Sequence, residues 1–571
     1  MKQHRPWLAA TFVVALLANS AFASERVEIV VADRVVTMDA SRPFAEAFAF
    51  DETGQIVAVG TRAELATKYP GARTQDERGH VVLPGLIDAH GHVLGLGLGL
   101  MQAQLEGTAS KAEVVARLQA FAKDLPPDEW LLGRGWDQND WPEKAFPSAA
   151  DLDAAFPDRP VWIERVDGHA AWANSATLKF VKKDLSGDWQ PGGGRIERVD
   201  GKATGVFVDG AMNVVNEIVP VTSPETTDRA LGRAFVKLLS AGITGVHDMG
   251  VSRELLALYR KRADEGRMPL RIVAYADGDG TALADLCKDG AYAHAGGRLK
   301  MRSVKLYADG ALGSRGAALL ADYADDAGNR GLLVTDEQAL GAAVAKAFRC
   351  KLQVAMHAIG DRGNRVALDG YAKFLATDTA APPPEGGVQI AVPPAGDVRW
   401  RIEHAQVVAL DDIPRFAALH VIASMQPTHA TSDMPWAEAR VGPQRILGAY
   451  AWRRMRDAGV ALAFGSDFPV EDVNPFWGMY SAITRQDADG KPAGGWYPDQ
   501  RVTTHEALRA FTIDAAWAGF DESTLGSLAV GKRADFVVVA ADPFAAAPRA
   551  LRDTQVLATW VDGKAAFTAG D

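Results

Sequence analysis

Cysteine is scarce in this sequence, with 2 in 571 residues. That excludes a disulfide framework and any cysteine-rich zinc module. Cys287 and Cys350 read as two buried thiols rather than a bonded pair. No run of Lys and Arg is dense enough for a nucleic-acid binder, and a formal net charge of −11 opposes one. Beyond the N-terminus, no apolar stretch approaches membrane-spanning length without a charge or a glycine-rich break. No Gly-X-Ser-X-Gly elbow occurs with triad partners in the usual order, which disfavours a serine hydrolase. What remains is an ordinary globular composition, 48% hydrophobic and 23% charged. A chain of this length can bury several cores without crosslinks.

The N-terminus has its own character. Lys2 and Arg5 form a short positive region, Trp7 to Leu17 is apolar, and Ala21-Phe22-Ala23 offers small residues at both cleavage-site positions. Residues 1–23 therefore read as a Sec-type signal peptide cut after Ala23. The expected location is the periplasm or the exterior, with no membrane association after cleavage.

Short β-like runs such as Val27–Val31, Arg34–Met38 and Gln55–Gly60 open the mature chain. Matching runs, Ala534–Val539 and Val556–Val561, close it. Residues 24–80 and 516–571 are thus expected to form one small β-sandwich domain from both termini. Between them, eight short apolar runs recur, most followed by a helix-like segment. They are Val82–His90, Ile243–Met249, Arg271–Asp277, Ser303–Asp309, Leu352–His357, Arg399–His404, Val421–Gln426 and Ala461–Asp467. Eight β-then-α units predict an α/β fold, a (β/α)8 TIM-type barrel over residues 81–515. The helical pattern is clear at Thr227–Ala241, where Ala230, Leu231, Ala234, Phe235, Leu238 and Leu239 share a face before Gly242. The first two runs lie too far apart for one connecting helix. Residues 105–225, rich in Trp, Gly and Pro, are read as an insertion above the active-site face. Ala380–Asp397, with Pro382-Pro383-Pro384, reads as a surface loop.

The histidines carry the chemistry. His90 and His92 stand at i and i+2 on an extended segment, so they point the same way. His357, His404 and Asp467 end three further runs. All these ends converge on one mouth in a barrel. Four His and one Asp suit Zn2+, with Zn–N bonds of about 2.0–2.1 Å. Lys305 lies among apolar neighbours on the fourth run, where an unpaired charge is costly. As a neutral amine it can add CO2 and become a carbamate that bridges two metals; a structural pairing with a carboxylate is the alternative.

The motifs resemble a known family. Pro84-Gly85-Leu86-Ile87-Asp88-Ala89-His90-Gly91-His92 is similar to the opening metal motif of the amidohydrolase superfamily. Several others resemble its YtcJ-like (amidohydrolase 3) branch, which includes N-substituted formamide deformylase. They are Gly133-Arg134-Gly135-Trp136-Asp137, Val166-Asp167-Gly168-His169, Lys305 to Arg315, Met356 to Asp361, Glu403-His404-Ala405 and Gly465 to Val470. The resemblance implies that His90, His92 and Asp467 hold a first metal and His357 and His404 a second, with Lys305 carboxylated between them. One or two Zn2+ per chain are expected, with two the preferred count. Zn2+ lowers the pKa of bound water to about 7, so hydroxide is available at neutral pH. Asp467 is the expected general base and, later, the acid for the leaving nitrogen.

Other residues are candidates for holding substrate. Arg315 suits a substrate carboxylate, Trp136 and His169 a pocket wall, and His247 or His429 the substrate carbonyl. The leading activity is hydrolysis of an amide-type, non-peptide C–N bond in a small molecule. The alternatives are a deaminase or an ester or lactone hydrolase using the same site, and a non-catalytic exported binding or regulatory protein. Barrels of this kind commonly pair as homodimers.

Overall fold

The computed structural model describes residues 27–570, apart from 166–169, 192–193, 221, 279–280, 314 and 376–396. The proposed signal segment, His169 and most of the Ala380–Asp397 loop lie outside the described residues. Eight parallel strands follow one another around a barrel: Leu86–Gly91, Ile243–Val251, Arg271–Asp277, Leu299–Tyr307, Gln353–Ala358, Arg401–His404, Ile422–Met425 and Leu462–Phe464. A parallel bridge from Gly91 to Phe468 brings the last strand back to the first. These strands are buried on both faces, so they read as continuous apolar runs rather than alternating ones. The eight runs in the sequence fall on these eight strands.

The first run proves to be two elements. Arg73–Pro84 belongs to another sheet, and the barrel strand begins only at Leu86. Gly85 is the joint, and a Cβ there would stand 2.3 Å from Thr244 Oγ1. Arg73–Pro84 is the centre of a seven-stranded sheet drawn from both ends of the chain. It runs parallel to Glu28–Val36 on one side and antiparallel to Phe536–Val539 on the other. The insertion forms a third, six-stranded sheet from strands between Ala103 and Asp209, with two hydrophobic cores of its own.

The helix read from periodicity runs from Pro224 to Ser240 and buries the six residues named for it. Ser223 caps it by accepting from Thr226 N, and Pro224 occupies the first turn, where a missing N–H costs nothing. The helix Val93–Gly99 lies across it. A Cβ on Gly97 would come within 2.2 Å of Ala230 O, so only glycine allows that approach.

Cys287 and Cys350 form a disulfide, with Cα atoms 5.1 Å apart. This corrects the reading of two separate thiols. Cys287 lies in the helix Thr281–Asp289 and Cys350 caps the helix Glu337–Arg349. These helices follow the third and fourth barrel strands. A sequence separation of 63 residues hides their adjacency.

Candidate metal centre

His90 is wholly buried at the end of the first barrel strand. Its Nδ1 stands 2.6 Å from Glu403 Oε2, and its Nε2 lies 3.4 Å from Lys305 Nζ and 3.5 Å from Asp467 Oδ1. His92 Nδ1 contacts Met249 O at 3.0 Å, which makes Nδ1 the protonated nitrogen. Its Nε2 then presents a lone pair, yet it faces Asp467 Oδ1 at 3.2 Å. Two acceptors at that distance call for a cation between them. Tetrahedral zinc with bonds of about 2.0–2.1 Å would set its ligand atoms about 3.3 Å apart. The donor set thus fits a metal.

The second group is also present. His404 Nδ1 contacts Gln426 Oε1 at 2.9 Å, and its ring lies 4.5 Å from that of His357. His357 makes a backbone hydrogen bond with Gly310, while its Nε2 is buried without a partner. Asp467 Oδ1 and His429 Nε2 are buried and unpartnered in the same way. In a folded protein such atoms ask for an explanation, and a bound ion is one. His404 and Asp467 sit in left-handed backbone, with φ of 71° and 61°. Each such conformation costs roughly 1–3 kcal/mol in a non-glycine residue and persists only where its surroundings fix it. Here Asp467 N donates to His90 O at 2.7 Å.

The electrostatics favour ligand forms. Burial, reinforced by the Lys305 charge, pushes the His90 ring down to about 4 and the His357 ring to about 3. Both are neutral imidazoles at pH 7. Burial pushes the Lys305 amine down to about 8 despite Glu403 and Asp467 nearby. Burial raises Asp467, but its interactions with the neighbouring histidines, His90 first, outweigh it and hold the carboxyl well below its usual range.

The weaker candidates divide. His429, on the helix Pro427–Asp433, does reach the centre, with Nε2 at 3.8 Å from Asp467 Oδ2 and its ring stacked over His404. His247 does not serve a carbonyl. It lies mid-strand in Ile243–Val251, its Nδ1 is held by Arg401 at 2.8 Å, and a Cβ on Gly519 would stand 2.6 Å from its Nε2. Arg315 is committed to Asp325, at 2.9 and 3.2 Å, rather than left for a substrate carboxylate. Trp136 is a core residue of the insertion instead of a pocket wall. It is fully buried, stacks on Trp141 and donates from Nε1 to Ile163 O. A tryptophan in a long insertion offers no periodicity by which to separate core from wall.

Three acidic residues were missed as site-builders. Glu403 bonds His90. Asp88 accepts from His90 N and from Ser466 N and Oγ, tying the first strand to the Asp467 turn. Asp309 accepts from Ala318 N, Ile359 N and Gly360 N, clamping the loop after Lys305 to the loop after His357. Burial pushes Asp88 and Asp309 up to about 7. The available signal was a carboxylate close in sequence to a ligand, on an otherwise apolar strand end.

A family model described as "Amidohydrolase family" matches residues 73–567. The YtcJ protein of Bacillus subtilis (strain 168) is 30% identical over 90% of this chain and 95% of its own length. The N-substituted formamide deformylase of Arthrobacter pascens is 29% identical over 93% of this chain and 96% of its own. The crystal structure of an uncharacterized metal-dependent hydrolase from Pyrococcus furiosus superposes with a TM-score of 0.73 at 26% identity, covering 91% of this chain and all of that one.

Proposed function

The chain belongs to the amidohydrolase family, and from that membership we propose that it hydrolyses an amide-type, non-peptide C–N bond in a small molecule outside the cytoplasm. It is a metal-dependent hydrolase acting on carbon–nitrogen bonds. The observation that carries the finer reading is the set of buried ligand atoms facing one another across Asp467.

His90, His92 and Asp467 would hold the first ion, and His357 and His404 the second. A bound divalent ion, which we take to be Zn2+, supplies a Lewis acid and a more acidic water. The rest falls to the chain. Asp467 takes the proton of the attacking water on its carboxylate and returns it to the leaving nitrogen. His429 Nε2, buried and unpartnered beside Asp467, orients the substrate carbonyl. Lys305 adds CO2 through its free amine. The N–C bond would form with release of one proton, and the carbamate would add oxygen donors beside both sets of ligands. An amine at about 8 keeps that free form accessible near neutral pH.

Export rests on the composition of residues 1–23 and on the Cys287–Cys350 bond, since disulfides persist in oxidising compartments. Elemental analysis of purified, metal-replete protein, followed by a panel of N-acyl, formamide and lactone substrates, tests the whole reading. We expect zinc and turnover of N-acyl or formamide compounds. Absence of any transition metal overturns the metal centre, and turnover confined to lactones overturns the C–N bond.

A further inference from the structure

Glu403 precedes His404 in the chain, yet its carboxylate serves a different histidine. Its Oε2 stands 2.6 Å from His90 Nδ1, and neither side chain has any exposed surface. Arg401 closes a two-point contact on the same carboxylate, with Nε 2.5 Å from Oε1 and Nη2 2.9 Å from Oε2. Its other donors reach Ala89 O at 2.6 Å, Ser424 Oγ at 2.5 Å, Tyr275 Oη at 3.0 Å and His247 Nδ1 at 2.8 Å. The pair is therefore anchored across the barrel interior to the first, second, third and seventh strands, and to its own, the sixth. Such a network leaves the Glu403 carboxylate a single position.

The other ligand histidines lean on neutral groups. His92 meets the Met249 carbonyl, His404 the Gln426 amide and His357 the Gly310 backbone. His90 is the one among these four that leans on a carboxylate. A carboxylate behind an imidazole fixes its tautomer, so that Nε2 is the free nitrogen, and raises its strength as a ligand.

We propose that Glu403, held by Arg401, is a positioning residue that makes the His90–His92–Asp467 site the tightest metal site of the chain. This rests on the metal centre proposed above, and the test separates the two.

The experiment is a Zn2+ titration of chelator-stripped full-length protein against a chromophoric chelator at fixed pH. Glu403→Gln keeps the shape and an acceptor for His90 Nδ1–H but removes the charge. The expected result is a 10–100-fold loss in the tightest binding event, with any weaker event unchanged. Because that substitution leaves the Arg401 charge unpaired, the double variant Arg401→Met/Glu403→Gln, which removes both charges, is titrated beside it. Circular dichroism and melting of the apo proteins identify the variant that keeps the fold. Wild-type affinity in a folded variant overturns the proposal, as does equal weakening of every binding event. A wild-type protein that binds no Zn2+ overturns the metal centre itself.

Discussion

At the scale of single residues, Asp467 has two proposed duties that one substitution can separate. Asn keeps the size and an oxygen donor but loses the basic carboxylate. We expect Asp467→Asn to lower turnover at least ~10²-fold while most metal is retained, read by kcat beside metal content. Near-full turnover would move the proton to another group, with His429 the first to test, at 3.8 Å. Lys305→Ala should lose both metal and activity, and CO2 with a short-chain carboxylic acid should restore part of each. Full metal and full rate in that variant would end the carbamate bridge. The residues that meet at this centre were legible in the sequence because an apolar parallel strand makes a polar residue at its end conspicuous. Glu403 and Arg401 were not, although they stand at i and i+2 on one strand. Their partners lie across the barrel on other strands, and a linear pattern does not record that distance. Trp136 and Arg315 misled for a related reason. An exposed-sounding motif in a loop carries no sign of the core or the acid that will claim it.

At the scale of elements, the contact of the helices Val93–Gly99 and Pro224–Ser240 sets a limit on sequence change. Gly97→Ala forces a methyl into the Ala230 carbonyl. We expect it to destabilise the protein by roughly 1–3 kcal/mol, seen as a lower Tm, whereas Gly99→Ala, with open space around it, should not. The longer helix was legible from its buried stripe, but its start was placed at Thr227 rather than Pro224. The first turn carries no buried residue, so periodicity is silent there. Ser223 and Pro224 held the missing signal, as cap and first-turn residue. The junction at Gly85 was hidden for the opposite reason: apolar residues continue across it, and the change of sheet leaves the pattern unbroken.

At the scale of the whole molecule, the barrel and the terminal sheet are clamped by buried charge. Arg271 holds Asp535 at 2.6 and 2.8 Å and Asp562 at 2.6 Å, and Arg298 joins at Asp562. Removing one partner strands the other. Asp535→Ala should cost about 3–5 kcal/mol, measured by denaturant unfolding, with metal binding retained in the folded protein. The disulfide acts over a longer reach. A closed loop of 63 residues corresponds to about 4 kcal/mol on the chain-entropy estimate. Cys287→Ser should therefore lower stability by up to that amount, and reductant should have no further effect on the variant. That eight β-then-α units make a barrel was legible, since each unit is local. The pairing of distant ends was inferred from matching β runs, but the central place of Arg73–Pro84 was not, because both of its neighbours come from elsewhere.

That terminal sheet also governs when the protein can become whole. Arg34 and Asp542 meet across 508 residues of chain, and Arg73–Pro84 has only one side covered until Phe536–Val539 arrives. No fragment that stops short of Phe536 can complete this sheet. Until Phe536–Val539 emerges, the strand keeps an open edge, the kind of surface that invites another chain to pair with it. Closure of the sheet is thus deferred by its own topology. The same arrangement makes the final strands a checkpoint for synthesis: a product cut short before Phe536 would keep every proposed metal ligand and still carry an unsatisfied edge.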